Sequence, residues 1–293
     1  MYEVNNAIIL AAGYSSRFVP ICNDKPKGLL QVNGDILIER QIHQLNNIGI
    51  KDITVITGTH AEQFDYLAEK YNIRLIFNPD YAIKNNFASL YAAREVFSNT
   101  IISSSDLYFK ENIFQNSSEH SYYASVYIKG KTKQRSLTLD ENDKIIGTAY
   151  GGENTWITFG GQALFLKEVS EKLINIMRLV YEKPEYANKY WVDIMDEHLD
   201  ELPMYIKRLD MDNITEFNTL ESIWEFDKNF SASDASPTMR NILDILNCDN
   251  ERKLSNFKPI KENNNAIGCF FTFDSIQYKY IFAGKILERY HYA

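Results

Sequence analysis

Leu10-Ala11-Ala12-Gly13-Tyr14-Ser15-Ser16-Arg17-Phe18, with Lys25-Pro26-Lys27 shortly after it, is the stretch from which the fold is read. It follows an apolar run, Ala7-Ile8-Ile9-Leu10-Ala11, that has the pattern of a buried strand. An open α/β sheet places its ligand crevice outside the carboxyl ends of its strands, where this loop begins. Small residues let backbone N–H groups approach a ligand. Ser15, Ser16 and Arg17 add donors, and Lys27 adds a mobile positive charge. Such a set suits a nucleoside triphosphate, although neither G-x-G-x-x-G nor G-x-x-x-x-G-K-[ST] is present.

Outward from that loop, apolar strands alternate with helical patterns. Residues 35–48 carry Ile36, Ile38, Ile42, Leu45 and Ile48 at near-helical spacing, and a strand is predicted at Ile53–Thr57. A helix around residues 60–70, a strand at 73–77, a helix over 86–97 and a strand at 100–104 continue the alternation, which argues for βαβ units and a parallel sheet. After about residue 118 the pattern turns β-rich, at 122–128, 136–139 and 144–148, with Asp140-Glu141-Asn142-Asp143 as a polar turn. A strand at 156–166, helices at 167–182 and 190–200, a strand at 214–218 and a helix at 219–229 close a domain predicted to span residues 1–230. Residues 231–238 read as a linker. Residues 239–293 read as a small appendage of one helix (239–246) and a hairpin of two apolar runs (269–273 and 278–282). The appendage's apolar runs must pack on the rest of the chain, pair with a second copy, or stay exposed and promote association; packing is the favoured outcome, and a homo-oligomer stays open.

Composition excludes several classes. The 293 residues are 45% hydrophobic and 24% charged, as in a globular protein. Lys and Arg number 31 against 39 Asp and Glu, a net charge of −8, and no basic cluster marks a nucleic-acid face. No apolar run approaches the roughly 18 residues of a membrane span, and no basic-then-apolar start suggests a secretory signal. Cys22, Cys248 and Cys269 lack zinc-site spacing, and so few cysteines suggest a reducing, cytoplasmic setting.

Ala11-Ala12-Gly13, Arg17 and Pro26-Lys27, in that order, resemble the nucleoside-triphosphate-transferase superfamily. Asn78-Pro79-Asp80-Tyr81, Asn85-Asn86-Phe87-Ala88-Ser89-Leu90-Tyr91, Ser103-Ser104-Ser105-Asp106, Tyr190-Trp191-Val192-Asp193 and Glu216-Phe217-Asn218-Thr219 are similar to segments of the phosphocholine cytidylyltransferases. The resemblance covers about residues 5–230. It implies a Rossmann-like, mixed but mainly parallel sheet of the nucleotidyltransferase type. It also implies a Mg²⁺-dependent reaction of CTP with phosphocholine that gives CDP-choline and pyrophosphate. Another alcohol phosphate, a phosphonate, a sugar phosphate, or a nucleotide-binding pseudo-enzyme are the alternatives. Residues 242–282 resemble the opening of a choline kinase N-lobe, and no kinase activity is expected of them, because catalytic-loop and metal-binding acids do not follow. Truncation near Ser231 is expected to leave a folded, CTP-binding first domain.

The resemblance also assigns residues. Arg17 and Lys27 would be catalytic, handling phosphate charge. Leu10, Ala11, Ala12, Gly13, Ser15, Ser16, Asn86 and Ser89 would bind the nucleotide, although Asn86 equally fits a helix N-cap. Asp106 would hold Mg²⁺. Asn218 stands where the family has a second metal-binding aspartate, so its neutral amide weakens that assignment. A quaternary amine offers no strong hydrogen bonds, so Trp156, Tyr190 and Trp191 with Asp193 and Glu216 would receive it.

Overall fold

The computed structural model describes residues 1–262 and 264–290. The chain divides into two compact units, Met1–Ala12 with Arg40–Glu216, and Gly13–Glu39 with Phe217–Ala293.

In the first unit, β1 (Asn6–Leu10), β2 (Ile53–Thr57), β3 (Arg74–Phe77) and β4 (Thr100–Ser104) pair in parallel in the order β3-β2-β1-β4. β1 and β2 are buried along their whole length, which is the environment of a parallel strand covered on both faces. α1 (Leu37–Asn47), α2 (Asp65–Tyr71) and α3 (Asn86–Ala92) are the helices of these crossovers. β5 (Leu107–Phe109) follows β4, and the seven-stranded sheet continues through β6 (Tyr122–Leu139) and β7 (Ile145–Phe165), which form one antiparallel hairpin. β7 runs antiparallel to β4. α4 (Lys167–Val180) and α5 (Trp191–Glu197) come next, then β8 (Tyr205–Leu209), which pairs in parallel with β6, and β9 (Ile214–Glu216), antiparallel to β5. The architecture is the mixed α/β sheet expected.

The hairpin differs from its sequence reading, which breaks it into four pieces. Register shifts fall between Tyr123 and Ser125, Ile128 and Lys131, and Thr132 and Arg135. Beyond Val126 the strand leaves the core and most of its side chains are partly or fully exposed, so the apolar signal lapses while the backbone ladder continues. The predicted turn forms as expected. Asp140 Oδ1 accepts from the N–H groups of Asn142 (2.8 Å) and Lys144 (2.9 Å), and Asp143 takes a left-handed φ of 63°.

The second unit departs most from expectation. After α6 (Leu220–Phe226), capped by Thr219, the stretch read as a linker folds as α7 (Ala232–Ala235) and the first turn of α8 (Pro237–Leu246). The Glu251 carboxylate accepts from the N–H groups of Ala232 and Ser233, both at 2.7 Å, and from Trp224 Nε1 at 3.1 Å. Ser236 is fully buried, and its Oγ caps α8 by accepting from Met239 N at 3.1 Å. Small polar residues that suggest a flexible connector are here spent on caps. The appendage is a four-stranded antiparallel meander, not a single hairpin: β10 (Ser255–Glu262), β11 (Asn265–Phe273), β12 (Ile276–Ile281) and β13 (Ile286–Arg289). Phe271 stacks on Tyr278 at 5.7 Å, and each such buried ring contributes about 2 kcal/mol.

Candidate nucleotide and acceptor sites

In the first unit, β1 delivers Leu10, Ala11 and Ala12 to the edge of the sheet. Ala11 N donates to Ile56 O (2.8 Å), and Ala12 O accepts from Thr59 N (3.1 Å). Gly58 makes this possible. A Cβ there would lie 2.5 Å from Ala12 O and 2.8 Å from the Tyr81 side chain. Gly58 was missed in the sequence, where one glycine after a strand reads as a plain turn.

Asp106 lies in the turn after β4, half-buried. Ser105 N donates to Leu10 O at 3.0 Å, which sets this turn beside the end of β1. The fully buried Gln41 of α1 donates from Nε2 to Ser104 O (2.8 Å) and Leu107 O (2.9 Å), and Ser103 Oγ donates to Gln41 Oε1 (2.7 Å). One amide therefore fixes both backbone neighbours of the Asp106 turn. Gln41 was invisible in the sequence because it sits on the inner face of a helix otherwise read by its apolar residues. The β5–β9 register places Glu216 opposite Leu107, so the two carboxylates, Asp106 and Glu216, arise from adjacent strand ends.

The Asn86 side chain is not the cap of α3. That role falls to Asn85, whose Oδ1 accepts from Asn86 N at 2.8 Å. Asn86 Oδ1 instead accepts from Trp191 N at 3.0 Å and anchors α5. Ser89 is buried, and its Oγ accepts from Asn78 Nδ2 at 3.1 Å.

The proposed amine receptors separate. Trp191 is 1% exposed, edge-on to Phe165 and tilted against Tyr123, so its ring fills core instead of presenting an open face. Trp156 is half-buried, edge-on to Tyr127, with the Arg208 guanidinium 5.2 Å from its ring centre. Tyr190 is exposed at the start of α5. Asp193 Oδ2 accepts from Tyr190 N at 2.7 Å, and its Oδ1 pairs with Arg135 and accepts from the Tyr150 hydroxyl at 3.3 Å. Arg135, nearly buried, also pairs with Asp196. Burial pushes the Asp196 carboxyl up from its ordinary value, with Arg135 pulling in the opposite direction. One guanidinium against two carboxylates leaves one net negative charge, beside the exposed rings of Tyr150 and Tyr190. Arg135 and Tyr150 lie in the stretch whose pairing the sequence did not reveal.

In the second unit, Gly13 is exposed, and a Cβ built there meets nothing within 4 Å. Sterics within the chain therefore do not demand a glycine, and the missing side chain leaves room for a ligand. Ser15 and Ser16 are half-buried, and Ser15 takes a left-handed φ of 51° that turns the loop. Arg17 is exposed, and its Nη2 donates to Asn218 Oδ1 at 2.7 Å. Lys27 is buried, unlike the mobile surface lysine expected. Its Nζ donates to Phe217 O at 2.5 Å and lies 5.7 Å from the Phe18 ring centre. Residues 217 and 218 thus accept from Lys27 and Arg17.

Residues 7–134 match the family model of the MobA-like NTP transferase domain. Choline-phosphate cytidylyltransferase of Streptococcus pneumoniae is 36% identical over 73% of this chain and 93% of its own. 2-Aminoethylphosphonate cytidylyltransferase of Lancefieldella rimae is 33% identical over 78% of this chain and 94% of its own. The solved structure of the CTP:phosphocholine cytidylyltransferase from Streptococcus pneumoniae superposes with a TM-score of 0.73 at 34% identity, covering 77% of this chain and 98% of that one. Among the described residues no helix is long and apolar enough to cross a membrane.

Proposed function

We propose that this chain, which belongs to the cytidylyltransferases of the MobA-like NTP transferase family, makes CDP-choline from CTP and phosphocholine. A phosphate oxygen of phosphocholine attacks the α-phosphorus of CTP. The new O–P bond forms as the bond from the α-phosphorus to the bridging oxygen breaks, and pyrophosphate leaves with its electron pair. The nucleophile is already an anion, so no base is needed. The barrier lies in bringing two anions together and carrying charge onto the leaving group. Arg17, Lys27 and the Gly13–Ser16 backbone supply positive charge and N–H donors to the triphosphate.

Mg²⁺ is part of the same proposal. It takes oxygen ligands, keeps several waters, and binds through one or two carboxylates together with substrate phosphates. Asp106 and Glu216, from adjacent strand ends, are donors of that kind, which moves Glu216 from the amine-receiving set to the metal. Among the described residues no group of three or more His, Cys, Asp or Glu could hold a metal ion by itself. Bound by those two carboxylates, Mg²⁺ would offset charge developing on the pyrophosphate.

The observation that carries the acceptor assignment is the cluster of Arg135, Asp193 and Asp196, which keeps one net negative charge next to exposed tyrosine rings. A quaternary ammonium is attracted by that charge and by aromatic faces without needing hydrogen-bond acceptors. The 33% identity to an aminoethylphosphonate enzyme favours one second reading, in which the acceptor is a primary amine that donates to the same carboxylates. Pyrophosphate release from CTP and Mg²⁺, measured with phosphocholine, 2-aminoethylphosphonate and a sugar 1-phosphate, tests both. Phosphocholine is expected to give the highest kcat/KM. A higher value with the phosphonate installs the second reading, and turnover with the sugar phosphate alone overturns both.

A further inference from the structure

Asp24 lies in the nucleotide loop, three residues before Lys27, yet its carboxylate serves the C-terminal part of the chain. Oδ2 accepts from Ser236 Oγ and from Thr238 N at 2.8 Å, and Oδ1 accepts from Thr238 Oγ1 at 3.0 Å. Asn23 Nδ2 donates to Thr238 Oγ1 at 2.9 Å. Ser236 is the N-cap of α8 and Thr238 its second residue, so the loop acid completes the cap of that helix. On the loop side, Asp24 N and Lys25 N both donate to Ile21 O, at 2.9 and 3.0 Å, closing a tight turn. Ser236 and Thr238 are buried, and so are Met239, Ile242 and Cys22. Three hydrogen bonds to a carboxylate in such a setting hold position far better than an exposed contact. The short path from Asp24 to Lys27 is therefore tied at both ends, to α8 through Asp24 and to Phe217 O through Lys27.

We propose that α8 is a positioning element for the nucleotide loop and that Asp24 is the positioning residue through which it acts, so that the C-terminal part of the chain is needed for CTP binding. The inference rests on the assignment of the loop to CTP. Asp24 acts through Lys25–Lys27 and touches no substrate.

The test measures CTP binding by titration calorimetry in the presence of Mg²⁺, together with both KM values, on the full chain and its variants Asp24→Asn, Asp24→Glu, Thr238→Val and the Asp24→Asn/Thr238→Val double. Thermal melting checks that each is folded at the assay temperature. Asp24→Asn is expected to weaken CTP binding and raise the CTP KM about tenfold, leaving the acceptor KM unchanged. Asp24→Glu should recover part of the loss. The double variant should be no worse than Asp24→Asn alone, because both remove one connection. If Asp24→Asn does not fold, Thr238→Val and Ser236→Ala carry the same comparison of the two KM values. A folded Asp24→Asn protein that binds CTP as the wild type does, an equal rise in both KM values, or an additive double variant overturns the inference. A wild-type protein that binds no CTP overturns the functional reading itself.

Discussion

The nucleotide loop and the Asp193 cluster hold their charges in opposite ways. In the loop, Arg17 donates to a neutral amide oxygen. In the cluster, Arg135 meets two carboxylates and is overmatched by them. A guanidinium resting on a neutral amide oxygen, as Arg17 does, can exchange it for phosphate oxygens at little electrostatic cost. A guanidinium already outnumbered by acids leaves surplus negative charge for a cationic guest. On the proposed function, the sign of each ligand follows from how the resident charge is paired.

Lys27→Ala should be the most damaging change, lowering turnover by about a hundredfold or more, the order of losing one transition-state donor. Because Lys27 is buried against Phe217 O, the variant should also melt earlier, reflecting roughly 1–3 kcal/mol for an unsatisfied carbonyl. Turnover near that of the wild type with CTP would remove the loop from phosphate handling. Asp106→Asn should cost about as much as losing one charge-stabilising group, on the order of a hundredfold, with a smaller effect on CTP affinity. Retention of the same Mg²⁺ requirement at normal rate would show that Asp106 holds no metal.

The parallel strands were readable because burial on both faces leaves an unbroken apolar run, as in β1 and β2. The loop after β1 stands out in the sequence because small residues and basic residues recur in a fixed order. Other features were not. Gln41, Arg135 and Asp24 reach partners 57 to 214 positions away, and a single polar residue carries no sign of which group it will meet. Trp191 illustrates the converse. Its neighbours marked an aromatic-acidic segment, but the period of α5 turns the ring inward and leaves Tyr190 outside. Ser231–Pro237 has the composition of a linker, and bonds to Ser231, Glu251, Ser236 and Asp24 turn it into helix caps.

Acidity should affect the cluster first. The folded pKa of Asp196 lies above the ordinary value of 3.8 because of burial, so between the ordinary and raised values the folded state binds more protons than the unfolded one. In that window this carboxyl adds stability as pH falls, and the cluster loses its surplus charge. The KM for a cationic acceptor should then rise several-fold as pH drops toward that window, and Asp196→Asn should flatten the response. An unchanged profile in Asp196→Asn would assign the effect to another group.

Asn218→Asp should have the smallest effect. It converts an exposed neutral hydrogen bond to Arg17 into an ion pair worth about 0.2–1 kcal/mol, which competes with phosphate and raises the CTP KM a few-fold. A lower Mg²⁺ concentration for half-maximal rate would instead place residue 218 among the metal ligands.

The most direct test of the contrast is to measure both KM values, for CTP and for phosphocholine, on Arg17→Ala and Asp193→Asn side by side. Arg17→Ala should raise the CTP KM about tenfold and leave the phosphocholine KM within twofold of wild type. Asp193→Asn should do the reverse. If both variants shift the same KM, or each shifts both equally, the division of the two charge arrangements between triphosphate and amine is wrong.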